Sequence, residues 1–299
     1  MYVDSPDIEV IETIQELQKK LNRNERKNTT VGFVPTMGYL HEGHLSLVKH
    51  AKEQNDIVVM SIFVNPAQFG PGEDFESYPR DRERDIRLAN EAGVDILFIP
   101  TVDEMYPADG GVRILPAKQA HELCGASRPG HFDGVLKVVL KLFNIVDPDR
   151  SYFGMKDAQQ LAIIETFVRD FNLRTVIVRV PIVREEDGLA KSSRNVNLTP
   201  SERTEAASIY RALQIGSEMF AAGEIPEAIK QRVSDFIVSN SSGMIDYVEF
   251  LTYPGLDPVT DGAQEVILAC AVKFSSTRLI DNIIMSTKDG TYVPNDDEQ

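Results

Sequence analysis

Two of the chain's five histidines fall in one tetrapeptide, His41-Glu42-Gly43-His44, which follows Met37-Gly38-Tyr39-Leu40. A glycine between two imidazoles leaves room for a flat ring or a phosphate against the backbone. Ring N–H groups on either side can donate to charge that develops on a phosphoryl group in flight. Two plainer readings stand beside nucleotide chemistry. One is a zinc site, against which Leu45 occupies the position where H-E-x-x-H needs its second histidine. The other is a pair of surface histidines capping a helix.

Cations gather in two more places. Lys191 and Arg194 flank Ser192 and Ser193 in a loop, a combination able to hold terminal phosphates and to close over them; the plain alternative is a solvated hinge. Lys156, beside Asp157 in Gly154-Met155-Lys156-Asp157, stands where a helix opens, with Asp157 able to cap. Three amides, Asn65, Gln68 and Gln160, can bond hydroxyls and carboxylates without adding charge, which suits a polar acid. Near-misses of nucleotide and hydrolase motifs at 70–75 and 125–130 read as turns. Ser275-Ser276-Thr277-Arg278 reads as a turn between two strands rather than as a phosphate loop.

The elements that must position these residues follow from periodicity. Ile11, Ile14, Leu17 and Leu21 predict one helix across 8–21. Residues 30–34 predict a strand stopped by Pro35, residues 44–54 a helix, and the unbroken apolar run 57–64 a parallel strand buried on both faces. A helix over 82–92 ends at Gly93, a strand follows at 94–99, and helices are marked by Val135–Phe143 and by Leu161–Phe171. A strand follows at 175–180. This alternation predicts a doubly wound, Rossmann-like α/β domain with a parallel sheet over 1–183. In such sheets ligands sit beyond the carboxyl ends of the strands. There a helix N-terminus offers unpaired N–H groups to anions. After Arg184 the rhythm changes. Thr199-Pro200-Ser201-Glu202 opens a helix that runs to about Ala222 before Gly223. Another helix starts near Pro226, and strands are expected over 245–251, 265–274 and 278–285. That predicts a smaller α+β domain over 184–299, a lid with a frayed tail at 295–299.

Composition bounds the rest. The chain has 299 residues, 42% hydrophobic and 26% charged, with a net charge of −15. Such a field repels nucleic acid and anionic membranes, so a phosphate site must show as a few cations set against the trend. Two cysteines, Cys124 and Cys270, make no disulfide framework and fit a reducing compartment. No apolar run approaches the roughly 20 residues of a membrane span, and no leader pattern opens the chain. A cytoplasmic protein without membrane or nucleic-acid partners is expected.

The segments VPTMGYLHEGHLSLV, SIFVNPAQFGPGEDFESYPR, GASRPGHFDGV, YFGMKDAQQLAII, DGLAKSSRN and RLIDN together resemble the pantoate–β-alanine ligase family of the H-x-G-H nucleotidylyltransferase group. The resemblance spans Val34 to Asn282. It implies that ATP and (R)-pantoate give pantoyl adenylate and diphosphate, and that β-alanine then takes the acyl group to give pantothenate and AMP. It implies magnesium alongside ATP, and a homodimer. Carried over, Met37, Gly38, Tyr39, Leu40, His41, Glu42, Gly43 and His44 would line the ATP site. Gly154, Met155, Lys156, Asp157, Val183, Lys191, Ser192, Ser193 and Arg194 would complete it. His44, His41, Lys156 and Arg194 would be catalytic. Gln68, Gln160 and Asn65 would hold pantoate, with Gln68 also near β-alanine. The acidic stretch Asp81–Asp85 offers help with magnesium but no metal ligand is assigned, and the Lys191 side chain has a less definite role than Arg194. The other functions weighed are nucleotidyl transfer to a phosphorylated acceptor and a catalytically silent nucleotide-binding regulator.

Overall fold

The computed structural model describes residues 8–26, 28–73, 75–107, 111–260 and 263–287. The expected frayed tail at 295–299 lies outside them. In chain order the elements are β1 (Glu9–Ile11), α1 (Ile14–Lys20), α2 (Arg23–Arg26), β2 (Val31–Thr36), α3 (Glu42–Gln54) and β3 (Ile57–Ile62). Next come α4 (Arg82–Glu91), β4 (Ile96–Phe98), α5 (Val102–Met105), α6 (Leu123–Ser127), α7 (His131–Val146) and β5 (Arg150–Gly154). The chain continues through α8 (Ala158–Asp170), β6 (Val176–Val180), α9 (Pro200–Ala221) and α10 (Pro226–Asn240), and ends in β7 (Met244–Thr252), β8 (Glu265–Lys273) and β9 (Arg278–Ser286).

These residues pack as two compact units. One takes in 8–117, 128–154 and 164–180; the other takes in 118–127, 155–163 and 181–287. Local periodicity assigns 118–127 and 155–163 to the first half of the chain, but packing groups them with the second. Asn282 bonds the Met155 carbonyl, and Leu123, Ala158 and Ala162 share a core with Leu251, Ile267 and Ile284.

The first unit is built on a six-stranded sheet in the order β1-β4-β3-β2-β5-β6, every pair parallel. Successive side chains alternate between faces. Val34 and Met60 meet Leu47, Val48 and Ala51 of α3 on one face, while Phe33 meets Phe143 of α7 edge-on at 6.5 Å. Each large side chain buried this way contributes about 1.5–3 kcal/mol. The chain runs β2, β3, β4 outward in one direction and returns to place β5 on the other side of β2. The strand order therefore reverses between β2 and β5.

Two expectations change here. Residues 8–21 are not one helix, because Glu9, Val10 and Ile11 pair with Ile96, Leu97 and Phe98 as an edge strand, and Ile11 only happens to keep helical phase with Ile14. Pro35 does not stop β2, which continues to Thr36 in register with Ile62. Pairing to β5 involves only Gly32 and Phe33, so no ladder bond on that side is asked of the missing proline N–H. Strand β5 carried no periodicity signal. Gly93 and Gly223 end their helices at φ +83° and +84°, as their C′ placement predicted.

In the second unit β7-β8-β9 form an antiparallel sheet. Leu268, Cys270 and Val272 face Ile209 and Leu213 of α9 and Ile229 and Val233 of α10. Ile267 and Ala269 face the opposite way, toward Leu123, Ala158 and Ala162. Ser275 and Ser276 lie in the β8–β9 turn, closed by the Phe274 N–H on the Thr277 carbonyl.

Candidate active site

The histidine motif leaves the carboxyl end of β2, at the point where the strand order reverses. Its loop is anchored from below. Asp85, 2% exposed, accepts the Tyr39 N–H on one carboxylate oxygen and the Leu40 N–H on the other, both at 2.7 Å. These bonds hold Tyr39 at φ +49°, with the Arg84 guanidinium over its ring. Burial pushes the Asp85 carboxyl above its ordinary value, and the two N–H bonds pull the other way. The sequence did not mark Asp85 as an anchor for this loop, because a carboxylate on an amphipathic helix normally faces water.

Both histidines cap α3. The Gly43 N–H donates to His41 Nδ1 (3.1 Å) and the His41 N–H donates to His44 Nδ1 (3.3 Å), a reciprocal capping box. Capping and chemistry are therefore not alternatives. A ring nitrogen that accepts from a backbone N–H carries no proton, so each neutral ring keeps its hydrogen on Nε2 and presents a donor there. The ring centroids are 4.0 Å apart. Gly43 makes the fold-back possible, since a Cβ there would lie 2.8 Å from His41 Cε1. The flat ring that the glycine admits is His41 itself.

Behind β3 the amides form a closed set. Asn65 Nδ2 donates to Gln68 Oε1 and to the Gly134 carbonyl, both at 3.1 Å. Its Oδ1 accepts from the Tyr106 hydroxyl (2.8 Å) and the Ala67 N–H (3.2 Å). All four hydrogen-bonding positions of the Asn65 amide are thus used within the protein. Gln68 Nε2 donates to the Met37 sulfur at 3.2 Å, which ties the amide pair to the histidine loop. Burial pushes the Tyr106 hydroxyl up to about 12, so it remains a donor at neutral pH. His131 Nδ1 donates to the Gln68 carbonyl (2.8 Å), and its Nε2 lies 3.1 Å from Arg128 Nη1. Arg128 is paired two-fold with Glu73 and holds that carboxyl below its usual range. Tyr106 was missed in the sequence. His131 and Gly134 were visible only inside the longer segment GASRPGHFDGV.

Gly154 ends β5 in the first unit, and the second unit carries the remaining candidates. Met155–Asp157 form a 3-10 turn that leads into α8, with Gln160 in its first turn. Lys156 lies 3.9 Å from Asp157. The Lys191 N–H donates to the Val183 carbonyl, and its ammonium pairs with Glu185 at 2.9 Å. Ser192 caps the turn Ser193–Asn197 by accepting the Arg194 N–H. Among the described residues no three His, Cys, Asp or Glu side chains converge as a metal site. The buried Asp85, with both oxygens engaged, is not a fit for a resident cation.

A family model described as pantoate–β-alanine ligase matches residues 9–284. The chain belongs to the pantoate–β-alanine ligase family. It is 58% identical over 284 residues to pantothenate synthetase of Lysinibacillus sphaericus (strain C3-41), covering 95% of this chain and all of that one. To the enzyme of Bacillus subtilis (strain 168) it is 54% identical over 280 residues, covering 93% and 98%. The crystal structure of pantothenate synthetase from Thermus thermophilus superposes with a TM-score of 0.87 at 45% identity, over 92% of this chain and 99% of that one. Pantoate–β-alanine ligase from Francisella tularensis, complexed with β-γ ATP and β-alanine, gives 0.76 at 36% identity, over 93% and 97%. Among the described residues no helix is long and apolar enough to cross a membrane.

Proposed function

We propose that the protein is an AMP-forming ligase that joins (R)-pantoate to β-alanine. A pantoate carboxylate oxygen attacks the α-phosphorus of ATP, the bond to diphosphate breaks, and pantoyl adenylate forms. The β-alanine amine then attacks the acyl carbon, AMP departs with the bonding pair, and the amine's extra proton is lost. One observation carries the reading. Two imidazoles, each accepting a backbone N–H on Nδ1, stand together at the N-terminus of α3, where the strand order reverses and the helix favours anions.

In this reading His44 and His41 donate to phosphate oxygens, and the backbone from Met37 to Gly43 shapes the nucleotide site. Lys156, Arg194, Ser192 and Ser193 serve the phosphates, together with the chain at Gly154, Asp157, Val183 and Lys191. Gln68 and Gln160 hold the pantoate, and Gln68 lies near the incoming amine. Asn65, its own amide saturated, acts by fixing Gln68 rather than by touching substrate. Magnesium would come bound to ATP as part of that substrate and would supply neutralisation of phosphate charge, with no residue of the chain assigned to hold it. The segment 184–299 serves as a lid, which fits an acyl adenylate that water would hydrolyse. A cytoplasmic homodimer completes the reading.

The test is diphosphate exchange into ATP with pantoate present and β-alanine absent. Exchange that depends on pantoate is expected. Exchange driven only by a phosphorylated acceptor would overturn the reading in favour of nucleotidyl transfer, and ATP binding with no turnover of any acid would leave a silent binder.

A further inference from the structure

Asn282 and Asp281 sit side by side in β9, in the segment RLIDN, which has no role in the reading above. Neighbours on a strand point to opposite faces, and each of these reaches a different loop. Asn282, 4% exposed, donates both hydrogens of its amide, one to the Met155 carbonyl and one to the Lys156 carbonyl, each at 3.0 Å. Asp281, also 4% exposed, accepts two bonds from Arg184, at 2.7 and 3.0 Å. It also accepts the Asn282 N–H at 2.8 Å. Arg184 in turn donates to the Gly188 carbonyl and lies 3.6 Å over the Tyr210 ring. Strand β9 thus packs against both the Met155–Asp157 turn and the Ser193–Asn197 turn.

We infer that Asn282 is a positioning residue for Lys156. A 3-10 turn of three residues has too few internal bonds to fix its own orientation. The buried amide clamps two successive carbonyls of that turn and so sets where the Lys156 stem leaves the backbone. Only a side chain with two hydrogens on one nitrogen can do this at a buried site with no charge. A carboxylate there would face two carbonyl oxygens, and an alanine would remove both side-chain bonds to the turn. The inference rests on the reading of Lys156 as a phosphate ligand. Misplacement by about 1 Å can cost on the order of 10²-fold in rate.

The experiment uses the full chain and compares wild type, Asn282→Ala, Lys156→Ala and the double variant in pantoate-dependent diphosphate exchange, with amide hydrogen exchange over 155–158 followed in parallel. Asn282→Ala is expected to lower kcat by on the order of 10²-fold while the KM for pantoate stays nearly unchanged. It should have little further effect once Lys156 is gone, because two residues acting through one group are not additive. Faster hydrogen exchange at 155–158 should accompany the loss. Equal rate losses from Asn282→Ala in both backgrounds would overturn the inference, as would unchanged protection of the turn. If Asn282→Ala does not fold, Asn282→Ser, which keeps one donor, carries the same comparison with a smaller expected loss. Full activity of Lys156→Ala alone would instead remove the reading of Lys156, and the protection data would still decide whether Asn282 holds the turn.

Discussion

His41 combines two tasks that mutation can separate. As N-cap it accepts a backbone N–H, and asparagine does that equally well. His41→Asn should therefore keep the thermal midpoint close to wild type and still depress diphosphate exchange, because the Nε2 donor is gone. His41→Ala should lose both, with about 1 kcal/mol of stability forfeited at the cap. His44→Ala should lower exchange by on the order of 10²–10³, the usual cost of removing one charge-stabilising donor. Steady-state exchange and thermal melts on the same preparations check all three, and unimpaired exchange in His41→Asn would assign that imidazole to capping alone. The sequence made this pair legible because two histidines and a glycine within four residues have few other uses. It offered capping as one plain reading of the pair but did not make legible its reciprocal form, each ring taking a backbone N–H on Nδ1. That depends on the φ/ψ of His41, a property of the turn and not of the residue types. The roles of Asp85 and Asn65 were hidden for the same reason, since both depend on partners about 45 and 70 residues away.

At the level of elements, what the chain spells locally was readable. Thr199, Pro200 and Glu202 fixed the start of α9, and the apolar run at 57–64 fixed β3. What long-range pairing decides was not readable. Three-residue β1 exists only because β4 accepts it, and β5 reads as polar until Tyr152 is placed beneath α3 with its hydroxyl oxygen accepting from Asn55 Nδ2. Glu202 shows how a cap can also join elements. Its carboxylate accepts from the Ser275 hydroxyl, the Thr199 N–H (2.9 Å) and the Ser275 N–H (2.8 Å), which tie α9 to the β8–β9 turn and hold its pKa down to about 2. A depressed carboxyl stabilises above its unfolded value and loses that contribution as pH falls through the folded one. Glu202→Gln should therefore flatten the decline of the thermal midpoint between about pH 4.5 and pH 2, measured by circular dichroism. An unchanged acid limb would mean that other carboxylates dominate it. Helix α7 supplies a second case. A Cβ on Gly134 would lie 2.0 Å from the Ala67 carbonyl oxygen, so Gly134→Ala must push α7 off the turn that carries Asn65 and Gln68. About 1–3 kcal/mol of stability should be lost, and the KM for pantoate should rise more than that for ATP. Equal rises in both would show that the amide cluster does not discriminate the acid.

On the scale of the whole molecule, the two cores have different relations to the order of the chain. The sheet of the first unit is complete by Val180. The three-stranded sheet of the second unit is covered by α9 and α10 on one face, but Leu123, Ala158 and Ala162 cover the other, and these precede it by more than 80 residues. A fragment spanning 184–299 would expose Leu251, Tyr253, Ile267 and Ile284 together. It should express as an aggregating or molten species, without the sharp cooperative melt of the full chain. A soluble fragment with a sharp melt would show that the missing cover is dispensable. During synthesis the asymmetry becomes a matter of timing. The ribosome delivers Leu123, Ala158 and Ala162 long before β9, so these apolar residues wait in the nascent chain for a partner sheet translated last. Conditions that slow elongation over the final third of the message would lengthen that wait. In cells, the vulnerability of this enzyme to chaperone supply should then track the codon speed of its last hundred residues more closely than the stability of the finished fold.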